Sequence, residues 1–198
     1  MSNIAQRPKT AILLHGKPPV AKYYDPERPL PGNDNWFPSV EGALQREGVQ
    51  VWVPNIAEPY RCLYANYAQP LDVLRSEVGV GTVGVGFSAG GWAWLKWLSH
   101  NTGTRLDKLV LVDPFGDLEG KYGDFSARAI SPTIANRVGE IVIFYSSGDT
   151  NPAVDRTIEV IEGKLTVRKR DFPDYGHFMH ESMGSPDFPE LVDELLAR

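Results

Sequence analysis

The chain is sparing in several features that would place a protein at once, and each shortage excludes something. Its 198 residues include one cysteine, Cys62, so no disulfide can form within it. The run Glu58-Pro59-Tyr60-Arg61-Cys62 holds neither a histidine nor a helix start to activate the thiol, which reads as inert. No apolar run approaches the roughly 20 residues that a membrane-spanning helix needs. Positive charge is in deficit: 20 Lys and Arg against 25 Asp and Glu give a net charge of −5. Nothing electrostatic therefore draws the chain to nucleic acid or to an anionic membrane. No H-E-x-x-H or paired-cysteine motif offers a metal site, and no Walker lysine or G-x-G-x-x-G run offers a nucleotide site. Neither metal nor cofactor is expected. Residues 1–10 are polar and lack the apolar stretch of a signal peptide, which with the lone cysteine gives the expectation of a cytoplasmic protein.

What the sequence does have is material for a core. Hydrophobic residues make up 42%, enough for one domain spanning 1–198. Five short apolar runs, 11–14, 49–53, 80–85, 108–112 and 140–145, read as buried parallel strands. A sixth, 165–170, is polar, and its Arg168-Lys169-Arg170 suits a charged edge that discourages pairing with another sheet. Helical faces fall between the strands. Trp36, Phe37, Val40 and Leu44 form one; Leu71, Leu74 and Val78 form another after Pro70. Residues 92–98 are apolar all round, as in a helix pressed against a sheet. Asn151-Pro152 caps and opens a helix carrying Val154, Ile158 and Ile161, and Leu191, Val192, Leu195 and Leu196 mark the last. This alternation predicts an α/β fold: three layers around a doubly wound, mostly parallel six-stranded sheet. The stretch 113–137 reads as loop and short helix. Residues 17–35, with Pro18, Pro19, Pro26, Pro29 and Pro31, leave the carboxyl end of the first strand, where such sheets bind ligands. They read either as a wall or lid of that site or as a rigid surface loop.

The most telling segment is Gly86-Phe87-Ser88-Ala89-Gly90, set between strand 80–85 and helix 92–98. A G-x-S-x-G in that setting has the form of a nucleophile elbow, with a serine hydroxyl lifted above the sheet and glycines where side chains would collide. The Ala89 N–H at the helix start faces a developing oxyanion. A serine needs a base to take its proton and a carboxylate to hold that base. Of four histidines, His177 in Gly176-His177-Phe178, after the last strand, is the first candidate and His180 the second. Asp149, following the strand before last, is the first candidate acid, with Asp113 in Val112-Asp113-Pro114 as its competitor. The backbone N–H of Lys17, after His15-Gly16, is the expected second oxyanion donor, its conformation restricted by Pro18. A metal at His177, His180 and Glu181 is not favoured, for want of a third ligand motif. An imidazole base of ordinary pKa, about 6.5, would switch the chemistry on near that pH.

These residues resemble the small α/β-hydrolases of the retinoblastoma-binding-protein-9 type. The likeness is carried by His15-Gly16, Asn35-Trp36-Phe37-Pro38, the elbow, residues 146–149, Gly176-His177-Phe178 and Phe188-Pro189-Glu190-Leu191. It implies a minimal α/β-hydrolase fold without a large cap domain. It also implies a serine hydrolase acting on an ester, thioester or amide. With no cap to enclose a long chain, esters of short or aromatic acyl groups are expected, and Trp36, Phe87, Phe115 and Phe178 are candidate pocket walls that fit plain core equally well. Phe87 stands where that family often has histidine, and Lys17-Pro18-Pro19 replaces a more glycine-rich loop. The family's name records a protein partner, so a binding or adaptor protein on the same scaffold is the alternative.

Overall fold

The computed structural model describes residues 7–125 and 130–197; part of the stretch expected to be loop and short helix, 126–129, lies outside it, as do 1–6 and 198. In chain order the regular elements are β1 (Thr10–Leu14), α1 (Val20–Tyr23), α2 (Phe37–Arg46), β2 (Gln50–Trp52), α3 (Tyr64–Val73), β3 (Thr82–Phe87) and α4 (Ala89–His100). There follow β4 (Leu106–Val112), β5 (Val138–Tyr145), α5 (Pro152–Glu162), β6 (Arg168–Asp171), α6 (His180–Met183) and α7 (Pro189–Leu196). The six strands form one sheet in the order β2-β1-β3-β4-β5-β6, and every pairing is parallel.

Side chains alternate across that sheet, as strand geometry demands. Ile12, Leu14, Leu109, Leu111, Ile141 and Ile143 face α3, α4 and α5. Ala11, Leu13, Val83, Val85, Val110, Val112, Val142 and Phe144 face α2 and α7. The α4 face of β3 is the exception, because Gly84 and Gly86 stand there in place of large residues. A Cβ on Gly84 would meet Trp94 at 3.2 Å, and one on Gly86 would lie 2.4 Å from the Gly91 Cα. The missing side chains let α4 press onto the strand, and its Trp92, Trp94 and Trp97 are almost wholly buried.

Two expectations need correction. The helix after Pro70 instead contains Pro70: α3 begins at Tyr64 and ends at Val73, with a separate 3₁₀ turn over Arg75–Glu77. Burial of Tyr67, Ala68 and Leu71 against α4 outweighs the backbone bond that the proline forfeits. The sixth strand is shorter and later than 165–170, because Leu165 turns inward to the core and leaves Arg168–Asp171 to pair with β5. Among the described residues no helix is long and apolar enough to cross a membrane.

The basic edge strand is neutralised from inside. Glu194 of α7, nearly buried, receives Arg168 at 2.7 Å, Arg170 at 3.3 Å and the buried Lys108 at 2.9 Å. Removing one partner of such a group strands the others. Glu194→Ala is expected to cost about 3–5 kcal/mol, measured as a lower urea midpoint at unchanged slope; a loss under about 1 kcal/mol would contradict the assignment.

Candidate active site

All the singled-out loops leave the carboxyl ends of the strands, and the elbow is the tightest of them. Ser88 joins β3 to α4 with φ 52° and ψ −119°, a conformation that costs a non-glycine residue on the order of 1–3 kcal/mol. It is held from several sides. The Ser88 N–H donates to Val112 O at 2.8 Å, and Ser88 O accepts from the Gly91 and Phe115 N–H groups at 3.0 Å each. Neighbouring backbone comes so close that only glycine fits: a Cβ on Gly90 would sit 2.4 Å from Leu14 O, and one on Gly16 would sit 2.8 Å from the Ser88 Cβ.

His177 arrives from the loop after β6. Gly176 and Phe178 both adopt positive φ, 51°, so the chain reverses sharply on either side of the imidazole. Phe178 is sunk in the core, and its carbonyl accepts from Trp36 Nε1 at 3.1 Å. The ring is thereby fixed with Nε2 3.1 Å from Ser88 Oγ. On its other side Nδ1 has two acceptors: Asp149 Oδ2 at 2.8 Å and Asp113 Oδ2 at 3.2 Å. The structure thus gathers Ser88, His177 and Asp149, and adds the carboxylate that the sequence posed as a rival. Asp149 accepts from the Asn151 N–H at 3.0 Å. Its loop crosses the histidine loop so closely that a Cβ on Gly148 would lie 2.1 Å from Pro173 O.

Electrostatics follow from this packing. Burial disfavours a charged imidazole, but the hydrogen bonds and charges of Asp113 and Asp149 outweigh it and raise the His177 pKa to about 9. The ordinary value expected from sequence does not hold. Burial lifts Asp113 to about 6 against the pull of His177. Burial also acts upward on the half-buried Asp149, yet His177 and the Asn151 N–H keep that carboxyl below its usual range. Cys62 is buried, and its thiol is pushed up to about 12, neutral and unreactive.

His15, read from sequence only as half of a His-Gly pair, has a definite place. It is 1% exposed, takes the Ile56 N–H on Nε2 at 3.0 Å and donates from Nδ1 to Gly16 O at 2.8 Å. The neutral ring therefore pins the peptide between Gly16 and Lys17. Among the described residues neither the Lys17 nor the Ala89 N–H meets a protein acceptor.

A narrow cleft opens beside Ser88 and His177. Residues 17–35 supply much of its wall, through Lys17, Pro18, Pro19, Pro29 and Pro31, with Phe37, Phe87 and Met179 completing the apolar lining. Of the aromatic candidates, Phe87 lines this cleft. Trp36 and Phe178 do not: both are fully buried, Trp36 stacked on Phe37 at 4.0 Å. Phe115 belongs to a separate hollow with Tyr122 and Arg156. His180 is exposed at the start of α6, where its N–H donates to Asn35 Oδ1 at 3.0 Å. The carboxylates of Asp113 and Asp149 and the ring of His177 offer ligand atoms within 4.8 Å of one another, near enough to share a cation. An ion there would need Nδ1 free of the proton that both carboxylates accept, so the two arrangements exclude each other.

The elbow between a parallel strand and a buried helix, with histidine and acid on later loops of the same rim, is the α/β-hydrolase fold without a large cap. Solved structures bear this out. The product of the ydeN gene of B. subtilis superposes with a TM-score of 0.76 at 19% identity, covering 94% of this chain and 96% of that one. An α/β hydrolase enzyme from a Medee basin deep-sea metagenome library gives 0.56 at 15% identity over 100% and 88% of the two chains. An esterase from Exiguobacterium antarcticum gives 0.63 at 15% identity over 96% and 91%. No protein-family model matches the sequence, and no curated protein does either.

His15 generates a stability prediction. Burial lowers its pKa from 6.5 to about 4, so the folded state binds fewer protons than the unfolded chain between those values, and stability falls as pH drops through that window. The raised His177 acts elsewhere, its contribution being lost as pH rises from 6.5 through about 9. Urea denaturation should therefore register a loss of roughly 3 kcal/mol from His15 between pH 6.5 and 4. A His15→Gln variant, less stable at neutral pH, should lack that component; equal slopes in both proteins would refute it.

Proposed function

We propose that the protein is a serine hydrolase that cleaves carboxylic esters, or the related thioesters and amides, through an acyl-enzyme. The observation that carries this is the chain of contacts from Ser88 Oγ through His177 Nε2 and Nδ1 to Asp149 Oδ2, at 3.1 and 2.8 Å. Ser88 attacks the acyl carbon while His177 Nε2 takes its proton. Asp149, with His177 Nδ1–H as its donor, holds the ring in the tautomer that leaves Nε2 free. The oxyanion is met by the unengaged N–H groups of Lys17 and Ala89, each worth roughly 3 kcal/mol in the transition state. His177 then returns the proton to the leaving group, and water, activated by the same imidazole, releases the acid and restores Ser88.

The size and proline-rich lining of the cleft favour a small, compact acyl group over a long flexible chain. A cytoplasmic setting is part of the same proposal. The Trp36-Phe37-Pro38 and Gly176-His177-Phe178 elements support placing the chain near the retinoblastoma-binding-protein-9-type hydrolases. The esterase among its structural neighbours is in keeping with this chemistry.

A fluorophosphonate probe should label the wild-type protein within minutes, and Ser88→Ala should abolish labelling while keeping the fold. A folded wild type that resists the probe would leave the binding-protein alternative standing. Hydrolysis of a short-chain aryl ester should be untouched by EDTA. Because only the neutral imidazole accepts a proton and the folded pKa is about 9, kcat/KM should rise with pH along a limb centred near that value. A plateau reached already at pH 7 would contradict the electrostatic reading.

A further inference from the structure

We propose that Asp113 is a second positioning residue of this site, sharing His177 Nδ1 with Asp149 and setting the pH at which the imidazole becomes a base. The inference rests on the hydrolase reading but asks something that reading does not need, since one carboxylate suffices to orient a histidine.

The geometry singles Asp113 out. It lies just past the end of β4, and the register that pairs Val112 with Phe144 sets it beside the loop after β5, which carries Asp149. It is 0% exposed, and its backbone is left-handed, with φ 42°. Both are unfavourable for an aspartate, burial because it desolvates a charge and φ because the side chain crowds the backbone. Oδ1 accepts from the Ser146 N–H at 3.3 Å. An asparagine would serve that purpose as well and suits positive φ better. The charge itself has a use only at Oδ2, which faces Nδ1.

Among the described residues no lysine or arginine pairs with Asp113; its ion-pair partner is the imidazole. The titratable groups around the cluster are few. Asp149 and His177 face Asp113 directly, and Asp171 accepts the Ser147 N–H at 2.9 Å on the far side of the Asp149 loop. Lys17, from the β1 loop, lies over the Tyr122 ring instead, and His15 is kept neutral by its burial, against the pull of its bond to Gly16 O. Two carboxylates thus converge on a single N–H whose ring is the one described cation available to offset them. The arrangement has two consequences. Either carboxylate can hold the ring if the other is lost. Both together favour the imidazolium, so the free base appears at a higher pH than one carboxylate would impose.

Steady-state hydrolysis of an aryl ester, measured from pH 5 to 10 for wild type, Asp113→Asn, Asp149→Asn and the double variant, tests this, with Ser88→Ala as blank. The expected result is a loss in kcat below about 100-fold for Asp149→Asn with KM little changed, against about 10,000-fold for the double variant. The midpoint of the alkaline limb in Asp113→Asn should fall by about 1–2 units. The proposal is overturned if Asp149→Asn is as inactive as the double variant, or if the Asp113→Asn pH profile superimposes on wild type. An NMR titration of the His177 ring in Ser88→Ala, with and without Asp113→Asn, gives a readout independent of turnover. A lower midpoint in the second supports the proposal, and equal midpoints sink it. Failure of wild type to hydrolyse any ester would count against the hydrolase reading alone, since the titration still decides the role of Asp113. Should Asp113→Asn not fold, Asp149→Asn alone decides it: a loss below about 100-fold supports the proposal, and one of about 10,000-fold overturns it.

Discussion

The site rests on a steric constraint: around the Ser88 turn, strand β3, helix α4 and the loop after β1 are packed more closely than side chains allow. Gly16, Gly86 and Gly90 each occupy a point where a Cβ would fall within 3 Å of another atom. The strained torsion angles of Ser88 persist because the surroundings over-determine them, through three backbone hydrogen bonds and the helix pressed onto β3. The sheet, the glycine face of β3 and the tryptophans of α4 are what make that crowding sustainable. Loosening any of them would relax the turn and lower the hydroxyl toward the strand.

The two ends of the sheet handle buried charge differently. At the amino end, Lys108, Arg168 and Arg170 converge on Glu194, with Glu140 also pairing Lys108 and Arg168; all of these side chains carry permanent charge. At the carboxyl end two acids converge on an imidazole, whose charge can come and go. The first arrangement fastens α7 to an edge strand. The second sets between its carboxylates a ring that can gain or lose a proton.

Much of this was legible in the residues because it rests on local patterns. Ser88 announces itself through glycines at fixed offsets between a strand and an apolar helix. Gly176-His177-Phe178 does so through its position after the last strand, and Arg168-Lys169-Arg170 through its unbroken charge. What was not legible depends on relations between distant segments. Asp113 and Asp149 looked like rivals because nothing in the sequence fixes the register of β4 on β5 that sets them side by side. Trp36 and Phe178 could have been wall or core, since an aromatic ring buries equally well in either; only their mutual hydrogen bond decides for core. Pro70 seemed to start a helix because the helix that runs past it begins six residues earlier, on a buried face that opens at Tyr67.

The Trp36–Phe178 bond reaches further than local packing. Asn35 takes the His180 N–H, and Glu181 pairs with Lys22 and Arg28, so the proline-rich segment and the histidine loop are stitched into one body. A swing of that segment away from the cleft would carry the imidazole off Ser88. Access to the cleft and alignment of the imidazole are therefore joined through the same few contacts.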